Sequence, residues 1–110
     1  MTDKIVVSTT CASPEEAERI ARHLLGKRVA ACVQVMAGVR SFYHWQGALT
    51  SEFEYLLIIK SRRDLFAALC AELRKVHSYN VPEILAVPVV DGAPDYLQWM
   101  DQELRPTGNL

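Results

Sequence analysis

The sequence lacks the features that define several common functional classes. Its best apolar runs, residues 55–59 and 84–90, have the length of strands and are far too short to span a membrane. Its formal net charge is −1, which argues against binding to nucleic acids or to anionic membrane surfaces. It has neither a glycine-rich phosphate loop nor a nucleophile elbow, so the sequence gives no sign of an enzyme.

Cysteine is also scarce. Cys11, Cys32 and Cys70 form no CxxC pair and no disulfide framework, so we expect free thiols in a reducing compartment. The opening residues do not have the layout of a signal peptide. The sequence therefore predicts a cytoplasmic protein, and 110 residues fit one domain covering 1–110.

Local patterns predict an alternating order of strands and helices. Ser13-Pro14-Glu15-Glu16 combines an N-cap, a proline at the first helical position and a capping-box glutamate, and Gly26 should end that helix. The other predicted elements are a strand over 5–10, a hairpin of strands over 31–46 and 49–60, a helix opened by Ser61-x-x-Asp64, an edge strand over 84–90, a short helix over Pro94–Glu103 and a frayed tail over 105–110. The order β-α-β-β-α-β followed by a helix is typical of an α+β, ferredoxin-like fold with an antiparallel sheet.

The predicted hairpin is too long for a domain of this size. Its first arm would extend on the order of 50 Å, whereas the expected radius of gyration is roughly 13 Å. Leu56 and Ile58 lie on the sheet face opposite the two helices, and the remaining sequence is too short to cover that face. We therefore expect other copies of the chain to cover it, with Trp45, Tyr43, Leu56 and Ile58 at the interface.

Three chemically versatile side chains should approach one edge of this sheet. Cys11 follows the first strand just before a helix N-terminus, a position that favours the thiolate. Glu83 begins the last strand, which neighbours the first, and His77 ends the helix leading to the same edge. The alternatives are a packed cysteine, a histidine that ends a helix and a structural glutamate. Cys32 and Cys70 are predicted to be small core residues.

Four ordered motifs carry a resemblance to a known family. They are Ala30-Ala31-Cys32-Val33-Gln34, Ser41-Phe42-Tyr43-His44-Trp45-Gln46-Gly47, His77-Ser78-Tyr79-Asn80-Val81-Pro82-Glu83-Ile84, and Gly92 with Tyr96-Leu97-x-Trp99. Together they resemble the CutA family of divalent-cation tolerance proteins from about Ile5 to Glu103. The resemblance implies a ferredoxin-like homotrimer in the bacterial cytoplasm that binds copper, with a cysteine at the position of Cys11 and the glutamate Glu83 involved.

The loop after the second helix departs from the family pattern. Ser78 stands where the family usually has proline, so we expect a more flexible loop. Asn80 follows the tyrosine and brings no charge to a position that is often acidic or an amide in the family.

Three functions follow from these observations. The first is a non-enzymatic metal-tolerance trimer that binds copper or similar cations weakly at Cys11, His77 and Glu83. The second is a regulatory trimer that binds a small molecule in its subunit clefts, by analogy with the fold of the PII proteins. The third is a structural scaffold.

Overall fold

The computed structural model describes residues 1–107 and contains one four-stranded sheet and three α-helices. In chain order the elements are β1 (Lys4–Cys11), α1 (Pro14–Gly26), β2 (Cys32–Trp45), β3 (Ala48–Arg62), a 3-10 turn (Arg63–Leu65), α2 (Phe66–Val76), β4 (Leu85–Pro88) and α3 (Pro94–Glu103). The predicted order of elements is therefore confirmed. Among the described residues, no helix is both long and apolar enough to cross a membrane.

All neighbouring strands in the sheet are antiparallel, in the order β2-β3-β1-β4. The predicted hairpin turn is present, since Trp45 pairs with Ala48 and the two residues between them, Gln46 and Gly47, have φ of 50° and 81°. Two central residues with positive φ suit the twist of a tight hairpin. The predicted irregularity at Gly38 is also present, because the β2–β3 register shifts between Met36 and Val39 and Gly38 has a φ of 77°.

The main core lies between one face of the sheet and helices α1 and α2. Alternate residues of the central strands point towards the helices, as the period of a strand requires. This core contains Val7, Leu57 and Ile59 from the sheet and Ile20, Leu24, Leu69 and Leu73 from the helices, all fully buried. The helical spacing of the last four residues explains why both helices pack on the same face.

The β2–β3 hairpin extends beyond this core. The molecule measures 45 × 26 × 22 Å, and its radius of gyration is 14.7 Å, compared with roughly 13 Å for a compact domain of this length. Large apolar side chains on the hairpin are well exposed, namely Phe42 at 63 %, Trp45 at 62 %, Leu49 at 73 % and Phe53 at 71 %. The extended part therefore has few contacts with its own domain.

The second face of the sheet is covered in part by α3, so the prediction that the chain has too little sequence for this was wrong. Arg62 and Lys4 are paired residues on that face, and both bind Asp101 of α3, at 3.0 and 3.3 Å. Leu56 and Ile58 point to the same face as Arg62, further along β3, and remain half-buried. α3 covers only the end of the face that carries Arg62.

Three predicted boundaries also differ. Ser61 does not open α2, because it lies within β3 and donates a hydrogen bond from Oγ to the carbonyl of Val29 at 2.6 Å. β4 covers only Leu85–Pro88, although Val89 beyond it still donates its N–H to the carbonyl of Lys4 at 3.0 Å. The predicted frayed tail is anchored at Arg105, whose N–H donates to the carbonyl of Arg28 at 2.9 Å; residues 108–110 lie outside the described part.

Candidate functional site

His77 is held at the end of β1 by its two ring nitrogens. Nε2 lies 2.9 Å from the carbonyl oxygen of Thr10 and 3.2 Å from Oγ1 of Thr9, while Nδ1 lies 3.1 Å from the backbone nitrogen of Tyr79. Because the backbone N–H can only donate and the carbonyl can only accept, Nδ1 accepts and Nε2 carries the proton. The side chain is fully buried, so both nitrogens of His77 are used inside the protein.

Glu16 is the carboxylate next to this imidazole, and the sequence did not indicate it as part of the site. It was predicted to be a capping-box residue, but its carboxylate accepts the backbone N–H of Ser78 at 2.7 Å and the Ser78 hydroxyl at 3.0 Å. Burial alone would raise the pKa of Glu16, but the hydrogen bonds from Ser78 and Ala12 and the nearby imidazole hold that pKa below its ordinary value. Glu16 is therefore a buried carboxylate that binds the loop after α2.

Two hydrogen bonds from Ser78 fix the loop after α2 to α1. The prediction of a more flexible loop rested on the absence of proline at this position. Both hydrogen-bond donors of Ser78 are directed to Glu16, and a proline would supply neither of them. The replacement thus adds two bonds between the loop and α1.

Cys11 differs most from the sequence-based expectation. It is the last residue of β1, not part of a turn, and it is completely buried on the core face opposite Tyr55. Its thiol points to the carbonyl of Ser13 at 3.6 Å. Burial and the negative charge of Glu16 raise the pKa of Cys11 to about 11, so the predicted thiolate is wrong and the thiol is protonated at neutral pH.

Glu83 is the exposed member of the three predicted ligands. It lies near β1, as predicted, because its Oε2 accepts a hydrogen bond from Ser8 Oγ at 2.8 Å. His77 and Glu83 both contact β1 residues, and Cys11 ends that strand, but the three do not form one group. Within residues 1–107 there is no cluster of three or more His, Cys, Asp or Glu side chains arranged to hold a metal ion.

The remaining cysteines are less buried than predicted. Cys32 and Cys70 are both half-buried free thiols. Burial raises the pKa of Cys70.

An open groove of about 760 Å³ lies beside this edge, between the second face of the hairpin and the loop after α2. Its lining residues are Thr10, Tyr43, Trp45, Thr50, Glu52, Glu54, Ser78, Tyr79, Asn80, Val81 and Glu83. Two tyrosines donate hydrogen bonds to two carboxylates here: Tyr43 to Glu52, and Tyr79 to Glu54 at 2.7 Å. The sequence pointed to Tyr43, Trp45 and Glu83, but it did not predict the bond between Tyr79 and Glu54, because strand periodicity alone cannot place a loop over a strand.

A family model and a known relative place the chain in the same family. Residues 5–103 match the family described as CutA1 divalent ion tolerance protein. The chain is 39 % identical over 112 residues to the divalent-cation tolerance protein CutA of Yersinia pestis, covering 94 % of each chain.

Solved structures agree with this match. CutA from Xylella fastidiosa has a TM-score of 0.92 at 36 % identity, with 94 % of this chain and 100 % of that chain covered. A CutA from Archaeoglobus fulgidus, described as periplasmic, has a TM-score of 0.90 at 37 % identity, with 93 % and 99 % covered. The chain therefore belongs to the CutA1 family of divalent ion tolerance proteins.

Proposed function

We propose that the protein is a homotrimer of ferredoxin-like subunits that binds divalent cations, copper among them, and takes part in the cellular response to metal ions. The observation that carries this proposal is the family match across residues 5–103. The strand order β2-β3-β1-β4 supports the ferredoxin-like assignment. Three reduced thiols favour a cytoplasmic location.

Two exposed apolar regions support the trimer. One is the extended hairpin with Phe42, Trp45, Leu49 and Phe53, all more than 60 % exposed. The other is the open end of the second sheet face, where Leu85 and Val87 of β4 are 62 % and 57 % exposed next to the half-buried Leu56 and Ile58. Exposed apolar surface of this extent marks an interaction site. Subunits that place their hairpins across neighbouring sheets would cover both regions.

Substitution of Trp45 tests this assembly. Trp45→Ala should weaken the association by about 2 kcal/mol or more, because a large aromatic at the end of an extended hairpin is a typical interface anchor. Sedimentation equilibrium at micromolar concentration measures the effect. Arg22→Ala, at an exposed position of α1 outside the hairpin, is the control. A folded monomer of the parent protein under these conditions would refute the trimer, and an unchanged Trp45→Ala trimer would refute the anchor.

The structure constrains how metal can bind. Glu83 is exposed and is available to a cation from solvent, whereas Cys11 and His77 are buried and already hydrogen-bonded. A copper ion at all three residues therefore requires the loop after α2 to open and the Cys11 thiol to lose its proton. Both requirements make binding weak at neutral pH. We propose Glu83 as the entry ligand and Cys11 and His77 as ligands of the opened state.

The pH dependence of copper binding tests the role of Cys11. Because the pKa of Cys11 is raised to about 11, its thiol must be deprotonated at any pH below that value for the thiolate to bind metal. The apparent copper affinity should therefore rise about tenfold per pH unit between about pH 6 and 8, as expected when binding releases one proton. Calorimetric titration with copper at fixed ionic strength measures this slope.

Two variants define the outcome of that titration. Cys11→Ser should lower the affinity and remove the pH slope, while Cys70→Ser should leave both unchanged. Equal copper binding by Cys11→Ser and the parent would place the metal elsewhere. If Cys11→Ser still binds copper and Glu83→Gln does not, the copper site is the exposed carboxylate of Glu83.

A further inference from the structure

A small apolar pocket lies on the second sheet face beside α3, at the other end of the molecule from the hairpin turn. Its volume is about 220 Å³ and its walls are almost entirely apolar. The lining residues include Val6, Lys60, Val89, Tyr96, Leu97 and Met100. Because small-molecule sites usually have about 300–1,000 Å³, this pocket suits one large side chain better than a separate ligand.

The walls of this pocket are held in place by hydrogen bonds. On one side, the N–H of Val89 donates to the carbonyl of Lys4 at 3.0 Å, and the carbonyl of Val89 accepts from the hydroxyl of Thr2 at 2.8 Å. On the other side, α3 is fixed to the sheet by the ion pair between Arg62 and Asp101 at 3.0 Å. The pocket is therefore formed before anything enters it.

A lysine and a tyrosine stand together at the mouth of the pocket. Nζ of Lys60 lies 5.4 Å from the centre of the Tyr96 ring and donates to the Tyr96 hydroxyl at 3.4 Å. Tyr96 is 40 % exposed, so one side of the pair is open to a partner. The face of an aromatic ring carries negative charge density, and tryptophan is the ring that attracts a cation best. An apolar pocket with a cation at its mouth is thus complementary to an indole.

The chain carries such an indole at the end of its hairpin. Trp45 is 62 % exposed there, next to the turn, where it pairs with Ala48. Lys60 lies roughly 40 Å further along β3 than Ala48, at the rise of an extended strand. Trp45 therefore cannot enter the pocket of its own subunit, and only the Trp45 of a second copy can fill it.

The pocket is continuous with the surface assigned above to the subunit interface. Val6 pairs with Val87 of β4, and Lys60 follows Ile58 on the same face of β3. A neighbouring hairpin that covers the exposed strip from its open end comes to the pocket at the α3 end. Because the tryptophan and the pocket are on different surfaces of one subunit, each copy gives one contact and receives one, and such heterologous contacts close into a ring.

We propose that Trp45 of one subunit fills the pocket between α3 and the second sheet face of the next subunit, with its indole against Lys60 and Tyr96. This inference rests on the proposed trimer and adds to it the two surfaces that meet. It does not depend on copper binding.

Photo-crosslinking of the full chain tests the contact directly. The large photoreactive aromatic p-benzoylphenylalanine takes the place of Trp45, and the irradiated protein is separated under denaturing conditions. A crosslink within one subunit stays at the mass of the monomer, whereas a crosslink between subunits gives a covalent dimer. We expect covalent dimers in which mass spectrometry finds the crosslink within residues 89–100. The same photoreactive residue in place of Arg22, on the exposed side of α1, is the control and should give no crosslink to that segment.

A double-mutant cycle measures whether the two surfaces act together. Substitutions at independent sites change the assembly constant by factors that multiply to within about twofold. Tyr96→Ala combined with Trp45→Ala should fall short of that product by about fivefold or more, because either change alone already removes the contact. Gln98→Ala, exposed on the same helix and outside the pocket, is the matched control and should combine independently with Trp45→Ala. If Tyr96→Ala does not fold, Lys60→Met serves, since it keeps the alkyl chain and removes only the charge.

Sedimentation equilibrium of the parent separates this inference from the proposed function. A trimer whose crosslinks from position 45 stay within the monomer, or lie outside residues 89–100, would overturn the inference and leave the trimer standing. Independent effects of Tyr96→Ala and Trp45→Ala would do the same. A parent protein that sediments as a folded monomer would refute the trimer and this inference with it.

Discussion

Asp101→Ala should destabilise the protein by about 2 kcal/mol, less than the roughly 3–5 kcal/mol that breaking a fully buried ion pair costs, because the Asp101 side chain itself is 48 % exposed. The reason is the position of the two cations that Asp101 binds. The side chains of Arg62 and Lys4 are only 1 % and 5 % exposed, and both depend on this carboxylate of α3. Arg62 retains Asp64 at 2.6 Å and the carbonyl of Arg105, whereas Lys4 retains Asp3 alone among residues 1–107, so the substitution leaves buried positive charge partly uncompensated.

Chemical denaturation at a fixed protein concentration measures this loss. Gln102→Ala is the matched control, because it lies next to Asp101 on the same helix but is exposed, and its effect should be within about 0.5 kcal/mol. A loss for Asp101→Ala as small as that of the control would mean that α3 does not depend on these ion pairs.

Glu16→Ala should cost about 2 kcal/mol at neutral pH, because it removes a buried carboxylate that accepts two hydrogen bonds, from the N–H and the hydroxyl of Ser78, and bonds to a charged group contribute about 1.5–3 kcal/mol. The loss should depend on pH. The pKa of Glu16 is below its ordinary value of 4.5 in the folded state, so its contribution to stability is present above that ordinary value. The contribution decreases as the pH falls from that value through the lower folded pKa, where the carboxylate is protonated.

Denaturation curves at several pH values between 7 and 3 measure both effects. The difference in the free energy of unfolding between the parent and Glu16→Ala should be constant above about pH 5.5 and should become smaller at lower pH. Glu15→Ala, at the neighbouring exposed position of the same helix turn, should show neither the loss nor the narrowing. A difference that persists unchanged at pH 3 would show that Glu16 acts through packing and not through its charge.

The local patterns of the sequence determined the strands, the helices and their order. The capping serine Ser13 predicted the start of α1, and its Oγ accepts the N–H of Glu16 at 3.1 Å. The glycines Gly38 and Gly47 predicted the irregularity and the turn of the hairpin, because positive φ is accessible to glycine at little cost. Helix caps and turns can be predicted from the sequence because they depend on residues only a few positions away.

The excess length of the hairpin was also determined by the sequence. Alternating apolar residues over two long strands require an extended structure, and the length of that structure follows from the rise per residue. The molecule has a longest dimension of 45 Å, and the large side chains on the hairpin are exposed.

Only the tertiary structure decided the chemistry of the site. The sequence placed Cys11 near a helix N-terminus and so predicted a thiolate, but the strand continues through Cys11 and buries it beside Glu16, which raises its pKa. The ionisation of a thiol depends on its full surroundings, and most of these come from residues distant in the chain.

The same reason explains the residues that the sequence did not reveal. Glu16 and Ser78 are 62 positions apart, Tyr79 and Glu54 are 25 apart, and Arg62 and Asp101 are 39 apart. The sequence determined that each of these side chains can donate or accept. Which pairs meet was decided by the packing of α1, the loop after α2 and α3 around the sheet, because hydrogen bonds and ion pairs act over a few ångströms and not along the chain.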